Sequence, residues 1–553
     1  MKLKKDESFQ KLRGGYYTPR PLADFIVNWA IDNQSLTNTS IFEPSCGDGV
    51  FLNSLLQNVT TEFQCTALEI DEFEADLARA NINDDEGINI ITNDFYSYYE
   101  DRVEKDYYDV VIGNPPYIRY QYLTEKQRNE QSDILIRNNL KPNKLINSWV
   151  AFTIAAVQML KVNGKIGFVI PAELLQVKYA EQLRTFLMNQ LQNITIVTFR
   201  KLIFPNVEQE VILLLGEKIH GEVDHRIKIL EFNDLNDLQI NFKKNNESIL
   251  FQKIDLDTSK WLRYFLGAEQ NQEINRIKKD ARFIPFTALG EVDIGITTGN
   301  NSFFSVDKTT VEEYDLQSVS RPLIARSVNI PGVTFNFDDW KNNVTKGAKT
   351  FLLDFNSVQA SDLSEKQREY IELGEKNGDN LGYKCSIRKT WYKIPSIWVP
   401  DAFFLRRNYL FPKFVLNNAG AVSTDTMHRV KLNILSDPRK AIIAYYTSVG
   451  LAFTELEGRS YGGGVLEVLP GELEKIIIPN VELFQMSEFD ITRLLNEIDR
   501  LMRLNDKDIE AILDTVDKAL LIDFMGMSQN EVKVYRDIWK KLRDRRLGRQ
   551  ATL

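Results

Sequence analysis

Cysteine, histidine and long apolar runs are all scarce in this 553-residue chain. Its three cysteines, Cys46, Cys65 and Cys385, lie far apart, without CxxC spacing or a histidine beside them. That excludes a disulfide framework and gives no sign of a zinc site. The three histidines, His220, His225 and His428, form no ligand-spaced pair, and no metal is expected. No run of about eighteen apolar residues occurs, so no membrane span is expected. The opening stretch "MKLKKDESFQKLRGGYY" lacks the apolar core of a secretory signal. A reducing cytoplasm is the expected compartment. An excess of positive charge is also missing. The net charge of −9 weakly opposes nucleic-acid binding, although only the local face decides that.

What is present is ordinary globular material, 43% hydrophobic and 26% charged, enough for two or three domains. Over the first 220 residues strand-like and helix-like patterns alternate. "PLADFIVNWAI" (21–31) reads as helix behind Thr18-Pro19, "SIFEPSCGDG" (40–49) as strand and turn, and "FQCTALEID" (63–71) as a strand ending in acids. "GINIITNDF", "YYDVVIGNPPY", "GKIGFVIPAELL", "ITIVTFR" and "QEVILLLGEK" continue the strands, with amphipathic stretches between them. This spacing predicts an α/β, Rossmann-like, doubly wound and mostly parallel sheet. Residues 1–245 are expected to form that domain. An Asn/Asp-rich stretch makes 246–283 a connecting region. Short strands, turns and aromatics predict a mixed α+β domain over 284–484, and helical periodicity predicts a helical segment over 485–553.

Ligands of open α/β sheets lie beyond the carboxyl ends of the strands. Three such ends carry telling residues. Glu43 precedes Gly47 and Gly49, which let backbone approach a ligand. Glu69 ends the next strand and can accept from two ribose hydroxyls. Asn93-Asp94-Phe95 offers an acid for an adenine amino group beside an apolar ring. An acid after the second strand also marks nicotinamide cofactors, but GxGxxG is absent and Asp48 would repel a pyrophosphate. A cationic adenosine, S-adenosyl-L-methionine, fits better.

"GNPPYIRY" (113–120) leaves a buried strand for Asn, two prolines and a tyrosine. The prolines remove two N–H donors and hold the chain extended. The corner offers acceptors and an aromatic face. The Asn114 amide oxygen and the Pro115 carbonyl suit an amino group on a planar ring, and Pro116 stiffens the corner. Two acceptors on such an amino group draw its nitrogen toward sp³ and localise its lone pair. The Tyr117 ring is that aromatic face.

"GGYYTPRPLADFIV", "IFEPSCGDGVFL", "ALEID", "TNDF" and "DVVIGNPPY" occur in an order that resembles the γ-class DNA adenine-N6 methyltransferases of the TaqI type, over about residues 14–220. The resemblance implies S-adenosyl-L-methionine as cofactor. It adds Pro44 and Ile70 to the cofactor set, Thr18 as a contact of the methionine carboxylate, and Phe152 as an apolar contact of the cofactor's adenine. It assigns Phe204, in "LIFPNVEQEVILLL", to the target base, which must leave the duplex to reach the pocket, with the rings of Tyr117 and Phe204 expected to stack on its two faces. The family's loop is GxG after a small residue, and "CGDG" departs from it at Cys46. The implied function is site-specific adenine methylation of double-stranded DNA in a restriction–modification system, with a separate cognate endonuclease as companion, by a monomer of a bacterial or archaeal cytoplasm. No fused upstream nuclease is expected, because the Tyr-Thr-Pro element stands at Tyr17-Thr18-Pro19. An RNA adenine methyltransferase, a protein glutamine-N5 methyltransferase and a cytosine-N4 enzyme are the rival readings. Ser commonly replaces Asn in the last, so Asn114 favours adenine.

The second half resembles a target-recognition domain more loosely. "LGYKCSIRKTWYKIPSIWVPDAFFLRRNYLFPKF" (381–414) sets seven cations against one acid, Asp401, with aromatics interleaved. Arg388, Lys389, Lys393, Arg406, Arg407 and Lys413 are the expected DNA contacts. Gly462-Gly463-Gly464 predicts either a close approach to DNA or a tight turn.

Overall fold

In the computed structural model the residues described are 17–31, 38–83, 87–105, 107–204, 210–219, 224–254, 260–433, 437–483, 485–504 and 508–548. The N-terminal stretch through Tyr16, residues 205–209 of the "LIFPNVEQEVILLL" segment, His220 and the last five residues of the basic terminus lie outside them. The chain divides into two compact units, one running to Ala268 and the other spanning Glu269–Gly548.

Strand–helix alternation builds the first unit. Nine strands form one sheet: β1 (Thr39–Glu43), β2 (Phe63–Glu69), β3 (Ile88–Thr92), β4 (Tyr108–Gly113), β5 (Leu160–Pro171), β6 (Asn193–Phe199), β7 (Val211–Glu217), β8 (Arg226–Phe232) and β9 (Gln252–Lys253). Their order is β3-β2-β1-β4-β5-β7-β6-β8-β9. The helices are α1 (Arg20–Ile31), α2 (Val50–Asn58), α3 (Glu72–Asn81), α4 (Phe95–Arg102), α5 (Glu125–Arg137), α6 (Ser148–Gln158), α7 (Glu181–Gln190) and α8 (Leu235–Ser248). They pack as two groups, α1, α2, α3 and α8 in one and α4 to α7 in the other, which is the doubly wound arrangement. Strands β1 to β5 are parallel, as expected. The insertion of β7 antiparallel to both β5 and β6 makes the sheet mixed. An all-apolar strand such as "VILLL" has the same pattern in either direction, because both of its faces are buried.

Strand order reverses between β1 and β4, so a crevice opens beyond their carboxyl ends. At the opposite ends, Asp109 accepts from the Ser40 N–H (2.9 Å), the Ser40 hydroxyl (2.7 Å) and Lys161 (2.9 Å), tying β1, β4 and β5 together. Burial pushes its carboxyl up, but these bonds outweigh burial and hold it below the usual range.

The expected boundary at 245 and the connecting region 246–283 are corrected by the structure. "LNDLQINFKKNNES" is helix α8, whose one buried residue is Leu238, so its polar composition is that of a surface helix. β9 then pairs with β8, and Trp261 is fully buried in the same core. The second unit begins at Glu269, within the helix Ala268–Ile277. Its five-stranded sheet brings together Gly290–Ile294, Met427–Leu432, Ala402–Leu405, Phe414–Asn417 and Thr334–Phe335, with smaller sheets beside it. The terminal helices are not a separate segment. Gln529–Leu547 packs against Ser448–Glu457, buries Tyr535 and Trp539, and sends Arg546 into a buried pair with Glu455 (2.7 Å). Arg546 also donates to the carbonyls of Tyr409 (2.6 Å) and Gly464. Gly463 and Gly464 have φ of 78° and 76°, so the glycine run is a tight turn. No helix among the described residues is long and apolar enough to cross a membrane.

Candidate active site

The crevice beyond β1 and β4 holds a cavity of about 480 Å³. Its lining includes Thr18, Glu43, Pro44, Gly47, Glu69 and Ile70, together with Asp94, Phe95, Asn114, Pro116 and Phe152. Residues scattered over 135 positions of sequence thus meet in one place, because each follows a strand or opens a helix at the same edge of the sheet.

Glu43 is fully buried, and neither carboxylate oxygen has a hydrogen-bond partner among the described residues. Burial, then the charges of Asp48 and Glu69, push its carboxyl well above the usual range. Burial and Glu74 likewise raise Asp48. Glu69 accepts from the Gly47 N–H (2.9 Å) and the Asp71 N–H (2.9 Å), one on each oxygen, which braces the turn against the strand end. Asp94 caps α4, with Oδ1 accepting from the N–H groups of Tyr96 (2.9 Å) and Ser97 (3.1 Å). Beside it Phe95 and Phe152 pack with centroids 4.3 Å apart.

The two expected glycines part company. Gly47 has φ of 52°, and a Cβ there would meet nothing within 4 Å, so its backbone faces open space in the cavity wall. Gly49 does not line the cavity. A Cβ there would come within 3.2 Å of the Ala78 Cβ, so its small size serves the packing of α2 against α3.

β4 ends at Gly113, whose φ of 151° is costly for any other residue, and the loop follows. Asn114 Nδ2 donates to Thr18 Oγ1 (3.2 Å). The Tyr117 hydroxyl lies 2.7 Å from Asn114 Oδ1 and 2.9 Å from the Val169 carbonyl. This corrects the expectation of an open aromatic face. The Tyr117 ring is 8% exposed and Phe204 is 5% exposed, and neither lines the cavity. A hydroxyl with two acceptors in reach draws the ring inward. Pro115 is buried and, unlike Pro116, does not line the cavity. Sequence reasoning missed Asp71, Glu74 and Ser148, which also line the cavity. "EIDEFE" carried the signal for the two acids.

The six expected DNA contacts lie in the second unit and are not equivalent. Lys389 is exposed, and Arg407 is 73% exposed at 3.5 Å from Glu467. Arg406 pairs with the buried Glu467 (2.9 Å). Arg388 donates to the carbonyls of Thr297 (3.0 Å) and Trp391 (3.3 Å), and Lys393 to that of Val358 (2.9 Å). Lys413 is a correction: it is 7% exposed and its ammonium donates to the Ile330 carbonyl (2.7 Å), so its charge serves the interior.

Two family models match the chain. Residues 36–204 match the Eco57I restriction-modification methylase, and residues 258–521 match the C-terminal domain of the Type II methyltransferase M.Eco57I. The similarity is to restriction–modification methyltransferases. The Type II methyltransferase M.AccI of Acinetobacter calcoaceticus is 25% identical over 532 residues, covering 91% of this chain and 92% of that relative. M.HincII of Haemophilus influenzae is 32% identical over 229 residues, 41% of each chain. A cryo-electron-microscopy structure of a DrdV–DNA complex has a TM-score of 0.52 at 13% identity, covering 89% of this chain and 58% of that one, and shares the fold. These similarities support a restriction–modification methyltransferase, and S-adenosyl-L-methionine is the cofactor.

The cavity fits that cofactor. A fully buried carboxylate with no partner needs donors or a positive charge. Lysine and arginine are absent from the described lining, whereas Glu43, Asp48, Glu69, Asp71, Glu74 and Asp94 are all in it. When bound, the cofactor supplies a methyl group already activated on a sulfonium. The chain's residues then hold, orient and exclude water.

Proposed function

We propose that the chain is a site-specific DNA methyltransferase that methylates N6 of an adenine flipped from duplex DNA, as the modification enzyme of a restriction–modification system. The observation that carries this reading is the position of Asn114 and Pro116 in the wall of the same cavity as Glu69, Asp94 and the buried Glu43, whose carboxylate oxygens have no hydrogen-bond partner among the described residues. On this reading the loop offers its acceptors for an amino group to the same cavity whose acids suit the methyl donor. Asn114 Oδ1 and the Pro115 carbonyl accept the amino hydrogens and localise the nitrogen lone pair. The side-chain amide is steadied through its other end by Thr18. Positioning two reactants in this way supplies most of the rate in a bimolecular transfer. Extruding the base costs a few kcal/mol. Stacking on Tyr117 and Phe204 is part of this proposal and requires both rings to turn outward when a base enters.

Duplex DNA as substrate is supported by the Type II methyltransferases along both units and by the DNA bound in the DrdV structure. Arg388, Lys389, Lys393, Arg406 and Arg407 are proposed as its contacts, and a separate endonuclease as the companion in the cell.

The test is modified-base sequencing of genomic DNA from cells expressing the chain or its Asn114→Ala variant. N6-methyladenine confined to one short sequence, and lost in the variant, is expected. Methyl groups on cytosine N4, or on RNA or protein with DNA unmarked, would refute the assignment.

A further inference from the structure

Asn147 and Ser148 open α6, and their residue types read as a plain helix start. The structure uses them differently. An N-cap asparagine normally accepts an N–H from the first turn of its own helix. Asn147 has the extended cap backbone, with φ −74° and ψ 152°, yet makes no such bond. Its Oδ1 accepts the Tyr120 N–H (3.2 Å), and its Nδ2 donates to the Tyr179 hydroxyl (2.9 Å). Ser148 is 3% exposed and commits every polar group it has. Its N–H donates to the Ile118 carbonyl (2.9 Å) and its Oγ accepts the Ile118 N–H (2.8 Å). Its hydroxyl donates to the Pro116 carbonyl, and its own carbonyl accepts from the Tyr96 hydroxyl (3.0 Å).

Three arguments turn these bonds into a role. Pro115 and Pro116 have no N–H, so the loop cannot brace itself with its own backbone donors and must be held from outside. The Asn114 carbonyl is tethered by the Ser45 hydroxyl (3.3 Å) and the Pro116 carbonyl by Ser148, so the Pro115 carbonyl lies between two fixed neighbours. Finally, Ser148 and Phe152 are one helical turn apart and both line the cavity. Tyr96, which holds Ser148, directly follows Asp94 and Phe95. The acid-and-aromatic end of the cavity and the acceptor loop therefore meet at this serine.

We propose that Ser148, assisted by Asn147, is a positioning residue that sets the Asn114–Tyr117 loop against the amino group to be methylated and couples that loop to the cofactor cavity. The inference rests on the reading of that loop as the amino-group acceptor. The experiment measures single-turnover transfer of labelled methyl into DNA, cofactor affinity by calorimetry, and thermal stability, on full-length Ser148→Ala, Asn147→Ala, Asn147→Asp and Asn114→Ala. Misplacement of reacting groups by about 1 Å costs on the order of 100-fold. We expect Ser148→Ala to lower transfer by about 10–100-fold with cofactor affinity within about three-fold. Asn147→Ala should follow it more weakly, and Asn147→Asp, which keeps an acceptor for Tyr120, should restore most of the rate. Normal transfer in Ser148→Ala, or a loss matched by lost cofactor affinity or stability, overturns the inference. If Ser148→Ala does not fold, the Asn147 pair decides: equal transfer by the Ala and Asp variants overturns it. Asn114→Ala separates the two levels. If it transfers normally, the loop reading itself fails; if it is inactive while Ser148→Ala is not, only the positioning role fails.

Discussion

In the proposed reaction Asn114, Tyr117 and Glu43 bear on the chemistry most directly, and each makes a different demand. Asn114→Ala removes an acceptor needed chiefly in the transition state. Transfer should fall at least about 100-fold, the scale of one lost transition-state bond, while cofactor affinity by calorimetry stays within a few-fold. Tyr117→Phe keeps the ring and removes only the hydroxyl near Asn114 Oδ1 and the Val169 carbonyl. One net hydrogen bond is about 1 kcal/mol, so a several-fold fall in single-turnover transfer is expected. An unchanged rate would assign Tyr117 to its ring alone. Glu43 yields a pH prediction. Its carboxyl is raised by burial and neighbouring acids, so without cofactor it stays protonated above the usual carboxylate range. A raised folded value adds stability below the ordinary carboxylate value, and that stability is lost as pH rises through the raised one. A cationic ligand favours the ionised form. Cofactor binding should therefore release a proton and tighten with rising pH between those two values. Calorimetry in buffers of different ionisation enthalpy measures the release, and Glu43→Gln should abolish it.

At the scale of elements, the strand ends were readable and the helix starts were not. Glu43, Glu69, Asp94 and Asn114 stood out because an acid or amide directly after a buried apolar run has no packing reason to be there. Ser148 and Asn147 gave no such contrast, since "NS" before an apolar run is the ordinary mark of a capped helix. Gly49 was misread because a glycine that admits a ligand and one that admits a neighbouring helix look alike in sequence. Helix α8 was hidden by a single inward side chain, and the direction of β7 by an apolar pattern without polarity. Tyr117 and Phe204 carry no mark of inward or outward orientation. The junction of β4 and its loop supports a further prediction. At Gly113 the nearest atoms to an added Cβ are 3.8 Å away, so space is available and φ of 151° is the obstacle. Gly113→Ala should cost about 1–3 kcal/mol in a urea titration of the first unit, the range for a residue in a disfavoured backbone region. Transfer should fall further than stability, because Asn114 is displaced.

For the whole molecule, the DNA-facing proposal now has one clean probe. Arg406 neutralises the buried Glu467, and reversing it would leave two like charges together. Arg407 is 73% exposed and shares that acid only at 3.5 Å. Arg407→Glu should weaken DNA binding and reduce the log–log salt slope by roughly 0.9 if it meets a phosphate. Cofactor affinity should not change, because the cavity lies in the other unit. A folded variant with an unaltered slope would place the recognition surface elsewhere.

The Arg546–Glu455 pair has a consequence for synthesis on the ribosome. All elements of the first unit precede residue 269, so that unit can close while the second is still being translated. The second unit cannot. Arg546 is two residues from that unit's last position, and until it arrives Glu455 has no cation in its pocket and the glycine turn at 462–464 lacks the donor to its carbonyl. Leaving a buried charge unpaired costs about 3–5 kcal/mol. During that interval the nascent chain carries a first unit whose elements are all synthesised and a second that still lacks its buried ion pair, so on the proposed reading the cofactor cavity forms before the DNA-facing unit is complete.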